Sequence, residues 1–209
     1  HPVKAITTAE GGMITTNNES LYRDLLRLRS HGINKGNDPY LHPASAHTDG
    51  EPNPWYYEMQ EIGFNYRITD IQCALGLSQL GKLDRFLSRR RELALRYDRL
   101  LSELPHVSPA QRNGRDSSAH HLYVVRIDFG AVGLTRNFFM RELRANGIIT
   151  QVHYIPAHTH PYYRANGHAD GRFPEAERYY DQALSLPLYY SLTDAEQDYV
   201  VSQLRRLLG

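Results

Sequence analysis

Apolar residues along this chain fall into helical and strand-like patterns on either side of a stretch that has neither. Residues 5–16 alternate loosely around Ile6, Met13 and Ile14 among threonines. That predicts two short strands joined at Glu10-Gly11-Gly12, where paired glycines tolerate the backbone of a tight hairpin. Asn18 then caps a helix over roughly 19–30, with Leu21, Leu25, Leu26 and Leu28 on its apolar side. From His31 to Ile62 the periodicity disappears among glycines, prolines and histidines. A loop that long in a compact protein is functional or unstructured. Trp55, Tyr56 and Tyr57 favour a loop that orders by leaning on a partner subunit, because aromatic clusters bury against something.

Helical spacing returns at Thr69-Asp70-Ile71-Gln72, a capping box, and continues through Leu75, Leu80, Leu83, Leu87 and Leu93 to Leu104. Gly76 and Gly81 read as kinks or points of close packing. The polar, turn-rich stretch 105–118, which includes Asn113, reads as a linker. Beyond it the pattern predicts a strand over 121–129, a helix capped by Thr135 and ended by Gly147, and a strand over 148–154. A helix over 174–183, a strand over 184–188 and a last helix opened by a second capping box at Thr193-Asp194-Ala195-Glu196 complete the order. Alternating strands and helices place the chain in the α/β class.

Composition narrows the function classes. The 209 residues suffice for a sizeable core, with 41% hydrophobic and 22% charged residues. Lys and Arg number 24 against 23 acidic residues, a net charge of +1, which points to neither a nucleic acid nor an anionic membrane as partner. Arg89-Arg90-Arg91 lies within a helical pattern beside Asp84 and Glu92 and reads as a solvated helix face. A single cysteine, Cys73, allows no internal disulfide. No apolar run reaches membrane-spanning length and no signal peptide is visible, so a cytoplasmic location is expected.

Candidate chemistry begins at Lys4. A lysine forms an imine only as the neutral amine, and an ordinary lysine is about 0.04% neutral at pH 7. A site that uses one must desolvate it or set cations beside it. His153, His158 and His160 invite a zinc reading, but their spacing is not helical and prolines 156 and 161 make the segment a loop. No metal is expected. Phosphate-loop, dinucleotide and serine-hydrolase motifs are absent from the sequence.

His1-Pro2-Val3-Lys4 with Thr7-Thr8-Ala9-Glu10-Gly11-Gly12 resembles the catalytic-lysine segment of the DegT/StrS family of sugar-nucleotide aminotransferases, which use pyridoxal 5'-phosphate (PLP). Leu28-Arg29-Ser30-His31-Gly32, then Gly63-Phe64-Asn65-Tyr66-Arg67 followed by Ile71-Gln72-Cys73-Ala74-Leu75-Gly76-Leu77, and Gln151-Val152-His153-Tyr154-Ile155-Pro156 agree with family segments in order and spacing. The resemblance implies the C-terminal part of a fold-type-I PLP aminotransferase. Residues 1–85 would be the remainder of the PLP-binding large domain with a long loop at 32–62, 86–118 a helical connector and linker, and 119–209 a small α/β domain. It further implies that Lys4 forms the internal aldimine and that Asn65 hydrogen-bonds the PLP phosphate of the neighbouring subunit in a homodimer. Arg67 would assist the anionic end of cofactor or nucleotide, and His153 and Tyr154 would line the sugar pocket.

Lysine at the reactive position implies amine transfer, since family members that remove hydroxyls carry histidine there. The lysine segment, the Ala-Leu-Gly-Leu-Ser-Gln-Leu run and Gln-Val-His-Tyr look most like the members of pseudaminic-acid synthesis. That implies transfer from an amino acid, L-glutamate, to C4 of a UDP-linked 4-keto-6-deoxy-N-acetyl-hexosamine, for cell-surface or flagellar glycan precursors. In the family the acidic residue for the pyridinium nitrogen and the phosphate loop precede the lysine, so residues 1–209 alone are expected to be inactive. The alternative from another class is a non-catalytic module that keeps the fold and the dimer surface.

Overall fold

Local side-chain chemistry starts and stops most elements of the computed structural model, which describes all residues except 112, 113, 115, 116 and 168–170. Asn113 of the expected linker lies outside the described residues. The chain divides into two compact units, His1–Leu80 and Gly81–Gly209.

In the first unit, helix α1 (Glu19–Leu28) begins where the Asn18 side chain accepts the Leu21 N–H, as expected. Strand β1 (Ile33–Asn34), helical turn α2 (Pro43–Ala46), strands β2 (His47–Thr48), β3 (Glu51–Pro52) and β4 (Glu58–Met59), and helix α3 (Asp70–Leu80) follow. β1 pairs antiparallel with β4, Asn34 opposite Glu58, and β2 pairs antiparallel with β3. The stretch 32–62, expected to be an irregular loop, is therefore a set of small hairpin-like pieces. They are held by buried polar residues, a form that hydrophobic periodicity cannot reveal.

Residues 5–16 form no strand, which corrects the expected hairpin. Their threonines satisfy the backbone locally: Thr7 Oγ1 accepts the Ala9 N–H at 3.0 Å, and Thr16 Oγ1 accepts the Asn18 N–H at 3.0 Å. Such short-range bonds compete directly with a strand ladder.

The second unit holds helices α4 (Leu83–Leu101), α5 (Phe129–Val132), α6 (Arg136–Ala145), α7 (Pro161–Ala165), α8 (Pro174–Gln182) and α9 (Asp194–Leu208). Its strands are β5 (Val107–Pro109), β6 (Tyr123–Ile127) and β7 (Ala183–Leu186). The strands form one antiparallel sheet ordered β5-β6-β7, with Tyr123 opposite Leu186. β5 occupies part of the expected linker; its Pro109 pairs with Val125 at a sheet edge, where a missing N–H is tolerated. The strand expected over 148–154 reduces to a single bridge, Gln151 to Ser185. Gln151 Oε1 takes the Val152 N–H at 2.9 Å and so ends the ladder.

The core lies in this unit. Leu93, Ala94, Tyr97 and Leu101 of α4 meet Val125 and Ile127 of β6, Phe139 and Leu143 of α6, and Val200, Val201 and Leu204 of α9. Each fully buried Leu or Phe of this kind contributes about 1.5–3 kcal/mol. α4, read from the sequence as part of a connector, is thus a wall of the second unit's core. Buried Gln197 donates to the Leu93 carbonyl at 2.7 Å and ties α9 to α4. Arg90, expected from the sequence to lie on a solvated face, is buried and donates to the carbonyls of His120, His121 and Leu188.

Candidate active site

Two of the motifs singled out above are one structural feature. The backbone of Leu28–Gly32 runs against that of 63–66: Phe64 N–H donates to the Leu28 carbonyl at 2.6 Å, His31 N–H to Phe64 at 2.8 Å and Tyr66 N–H to Arg29 at 2.9 Å. Gly32 and Gly63 permit this approach. A Cβ on Gly32, at φ +70°, would sit 1.9 Å from the Glu61 carbonyl oxygen, and one on Gly63 would sit 2.1 Å from the Gly32 nitrogen. Beneath the crossing, Arg27 binds Asp24 at 2.8 Å, Asp38 at 3.0 Å and Glu61 at 2.5 Å. Asn65, bridged to Ser30, is held exposed on this brace; Phe64 and Tyr66 stack with ring centroids 4.8 Å apart. Arg67 is exposed two residues further on, just before α3.

The lysine segment meets the same helix. Lys4 is exposed, and its N–H donates to the His1 carbonyl at 3.1 Å in a turn. Thr8 lies over Gly76 of α3, where an added Cβ would come within 2.9 Å of Thr8 Cγ2. Gln72, in the first turn of α3, donates from Nε2 to the Glu10 carbonyl at 2.8 Å. Lys4, Asn65 and Arg67 therefore belong to one unit and to segments that both lead to α3. The Gly76 expectation of close packing is met.

Glu58 organises the stretch between the two motifs. Its carboxylate accepts the Leu41 and His42 N–H groups at 2.7 Å, the Tyr56 hydroxyl at 2.9 Å and Gln60 Nε2 at 2.9 Å. Burial works to raise its pKa, but these bonds outweigh it, led by Gln60 and the two backbone donors, and hold it down to about 2. Sequence reasoning missed Glu58, because nothing distinguishes a buried acid from a solvated one in an aperiodic stretch.

His153 and Tyr154 belong to the second unit. His153 Nδ1 lies 2.7 Å from Ser185 Oγ of β7, and its ring packs edge-on against Tyr154, centroids 4.5 Å apart. Tyr154 is exposed. His158 is buried, with Nε2 2.7 Å from Glu177 of α8 and its ring 4.9 Å from that of Phe173. Its hydrogen bond holds the Glu177 carboxyl below its ordinary value against partial desolvation, helped by the Gly171 N–H. Sequence reasoning missed Ser185 and Glu177, the partners that position these histidines. Among the described residues no three His, Cys, Asp or Glu side chains gather as a metal site. Nor, among them, is any helix long and apolar enough to cross a membrane.

The α/β fold is that of the matching part of fold-type-I PLP aminotransferases, and the comparisons narrow the class. The chain belongs to the DegT/DnrJ/EryC1/StrS aminotransferase family, which matches residues 1–205. That family is PLP-dependent. The chain is 36% identical to the spore coat polysaccharide biosynthesis protein SpsC of Bacillus subtilis, over all of this chain and 52% of that protein. Among solved structures it matches Helicobacter pylori PseC, an aminotransferase of pseudoaminic acid biosynthesis. There the TM-score is 0.84 and the identity 30%, over 100% of this chain and 51% of that one. The PLP form of the sugar aminotransferase Spr1654 of Streptococcus pneumoniae matches with TM-score 0.79 and 26% identity, over 100% and 50% of the chains. The chain spans about half the length of the curated relatives it matches.

Proposed function

We propose that this chain carries the reactive lysine of a PLP-dependent sugar-nucleotide aminotransferase. The observation that carries the reading is the family match over residues 1–205 together with a lysine segment and an asparagine brace that both run onto α3. PLP supplies an electron sink when bound. Lys4 would hold the cofactor and move the proton during transfer. Asn65 would donate to the phosphate of the cofactor in a neighbouring subunit. Arg67 meets the anionic end of cofactor or nucleotide. An amine suits the cofactor's aldehyde, and a carboxamide offered across the dimer suits its phosphate, which supports the fit.

His153 and Tyr154 line the sugar pocket, with Ser185 fixing the imidazole. The proposed reaction moves an amino group from L-glutamate to C4 of a UDP-linked 4-keto-6-deoxy-N-acetyl-hexosamine, for surface-glycan precursors, in a cytoplasmic homodimer. The likeness to PseC supports that choice of sugar. Residues 1–85 are proposed as part of the cofactor-binding domain, 119–209 as the small domain, and 86–118 as a connector that also lends the small domain a core helix and an edge strand.

The test is borohydride reduction of the full-length protein after incubation with PLP, followed by peptide mapping. A pyridoxyl adduct on Lys4 that Lys4→Arg abolishes is expected. An unlabelled Lys4 in a folded protein would sink the catalytic reading and favour the non-catalytic module.

A further inference from the structure

Gln72 stands at a junction that the catalytic reading leaves unexplained. Its Oε1 accepts from the Thr69 N–H at 3.0 Å and from Thr69 Oγ1 at 3.1 Å, while its own N–H donates to Thr69 Oγ1 at 3.3 Å. That is a complete capping box, and it orients the side-chain amide, because the Thr69 N–H can only donate. The Nε2 edge is thereby turned to the Glu10 carbonyl at 2.8 Å, which can only accept. One side chain therefore closes the start of α3, directly after Asn65-Tyr66-Arg67, and grips the lysine segment 62 positions earlier in sequence. One amide thus ties the segment of Lys4, proposed to hold this subunit's cofactor, to the helix start that follows the segment proposed to reach the neighbouring subunit's cofactor.

We propose that Gln72 is a positioning residue: its Nε2–H seats the Lys4–Gly12 segment on the start of α3 and so places Lys4. The inference rests on the proposed function. The half-buried amide is accounted for on both of its edges, and the grip on Glu10 adds nothing to capping, which Oε1 performs alone. Reacting groups misplaced by about 1 Å lose on the order of a hundredfold in rate, so a hydrogen bond at this junction has catalytic leverage.

Gln72→Glu separates the two tasks in the full-length protein. A carboxylate keeps the acceptor of the capping box, but it removes the N–H and sets an oxygen against the Glu10 carbonyl. Gln72→Ala removes both. For Gln72→Glu the expected results are a thermal midpoint near that of the wild type, at least about tenfold slower borohydride-fixed labelling of Lys4 by PLP, and a kcat lowered by about ten- to a hundredfold with the sugar KM within about threefold. Amide exchange over 1–14 rises with it. Gln72→Ala shows the same loss of labelling and a lowered thermal midpoint. Labelling of Gln72→Glu at the wild-type rate overturns the inference, as does a loss that merely follows a lowered thermal midpoint. A wild type that takes no label at Lys4 overturns the catalytic reading, and this inference with it; a labelled wild type beside an equally labelled variant overturns the inference alone.

Discussion

A carboxylate that accepts four hydrogen bonds is hard to protonate, and Glu58 shows the consequence at the residue scale. Its folded pKa of about 2 lies below the ordinary value. It therefore contributes stability that is present above about pH 4.3, the usual glutamate value, and is lost as pH falls towards 2. Trp55, three residues away and the only tryptophan, reports the change. Acid titration of the wild type should show a Trp55 emission step between about pH 4 and 2 that Glu58→Gln lacks, because the amide does not titrate. Identical titrations would remove Glu58 from the centre of the loop. The sequence reads Trp55, Tyr56 and Tyr57 as ordering against a partner subunit but has no means of marking Glu58. A glutamate is ordinarily solvated, and only the approach of Leu41, His42, Tyr56 and Gln60 makes this one structural.

At the scale of elements, the helix starts read from sequence hold where a short polar side chain can reach its own backbone. Asn18, Thr135 and Thr193 each accept the expected N–H, and both predicted capping boxes close. These contacts span three residues, so sequence carries them whole. The strand expected over 148–154 and the hairpin expected over 5–16 both gave way to local side-chain bonds. Gly76 shows the two kinds of constraint meeting. Gly→Ala within a helix ordinarily gains about 1 kcal/mol, but here the new methyl would press Thr8 Cγ2. Gly76→Ala should loosen the lysine segment, read as faster amide exchange over 1–14, without lowering the thermal midpoint. Gly76→Ala with Thr8→Ser, which removes that methyl, should restore protection. Unchanged exchange in the single variant would show that α3 does not seat the segment.

The two units differ at the scale of the whole molecule. Among the described residues of 1–80, Ala46 is the only buried apolar side chain, while Met13, Ile62 and Ile71 are 88, 86 and 84% exposed. The cluster formed by α4, α6, α9 and the sheet lies wholly within 81–209. Residues 81–209 expressed alone should unfold cooperatively on heating, with coincident far- and near-ultraviolet circular dichroism. Residues 1–80 alone should show no cooperative transition, since hydrogen bonds around Arg27 and Glu58 do not replace an apolar core. A sharp melt of 1–80 would overturn that division of stability.

What the sequence determined by itself is what short range can encode: the α/β class, the helix caps, the final helix and the four motif segments whose order marks the family. Each rests on side chains that act within a few residues or on a periodicity visible in the chain. Tertiary structure alone decided that Leu28–Gly32 and 63–67 form one brace, that Gln72 reaches Glu10, that Glu58 and Glu177 are held acids, and that α4 is a core wall. The physical reason is distance along the chain. A hydrogen bond across 62 positions, or a glycine whose missing Cβ would meet another backbone's oxygen at 1.9 Å, leaves no periodic trace in sequence, because its partner is chosen by the fold.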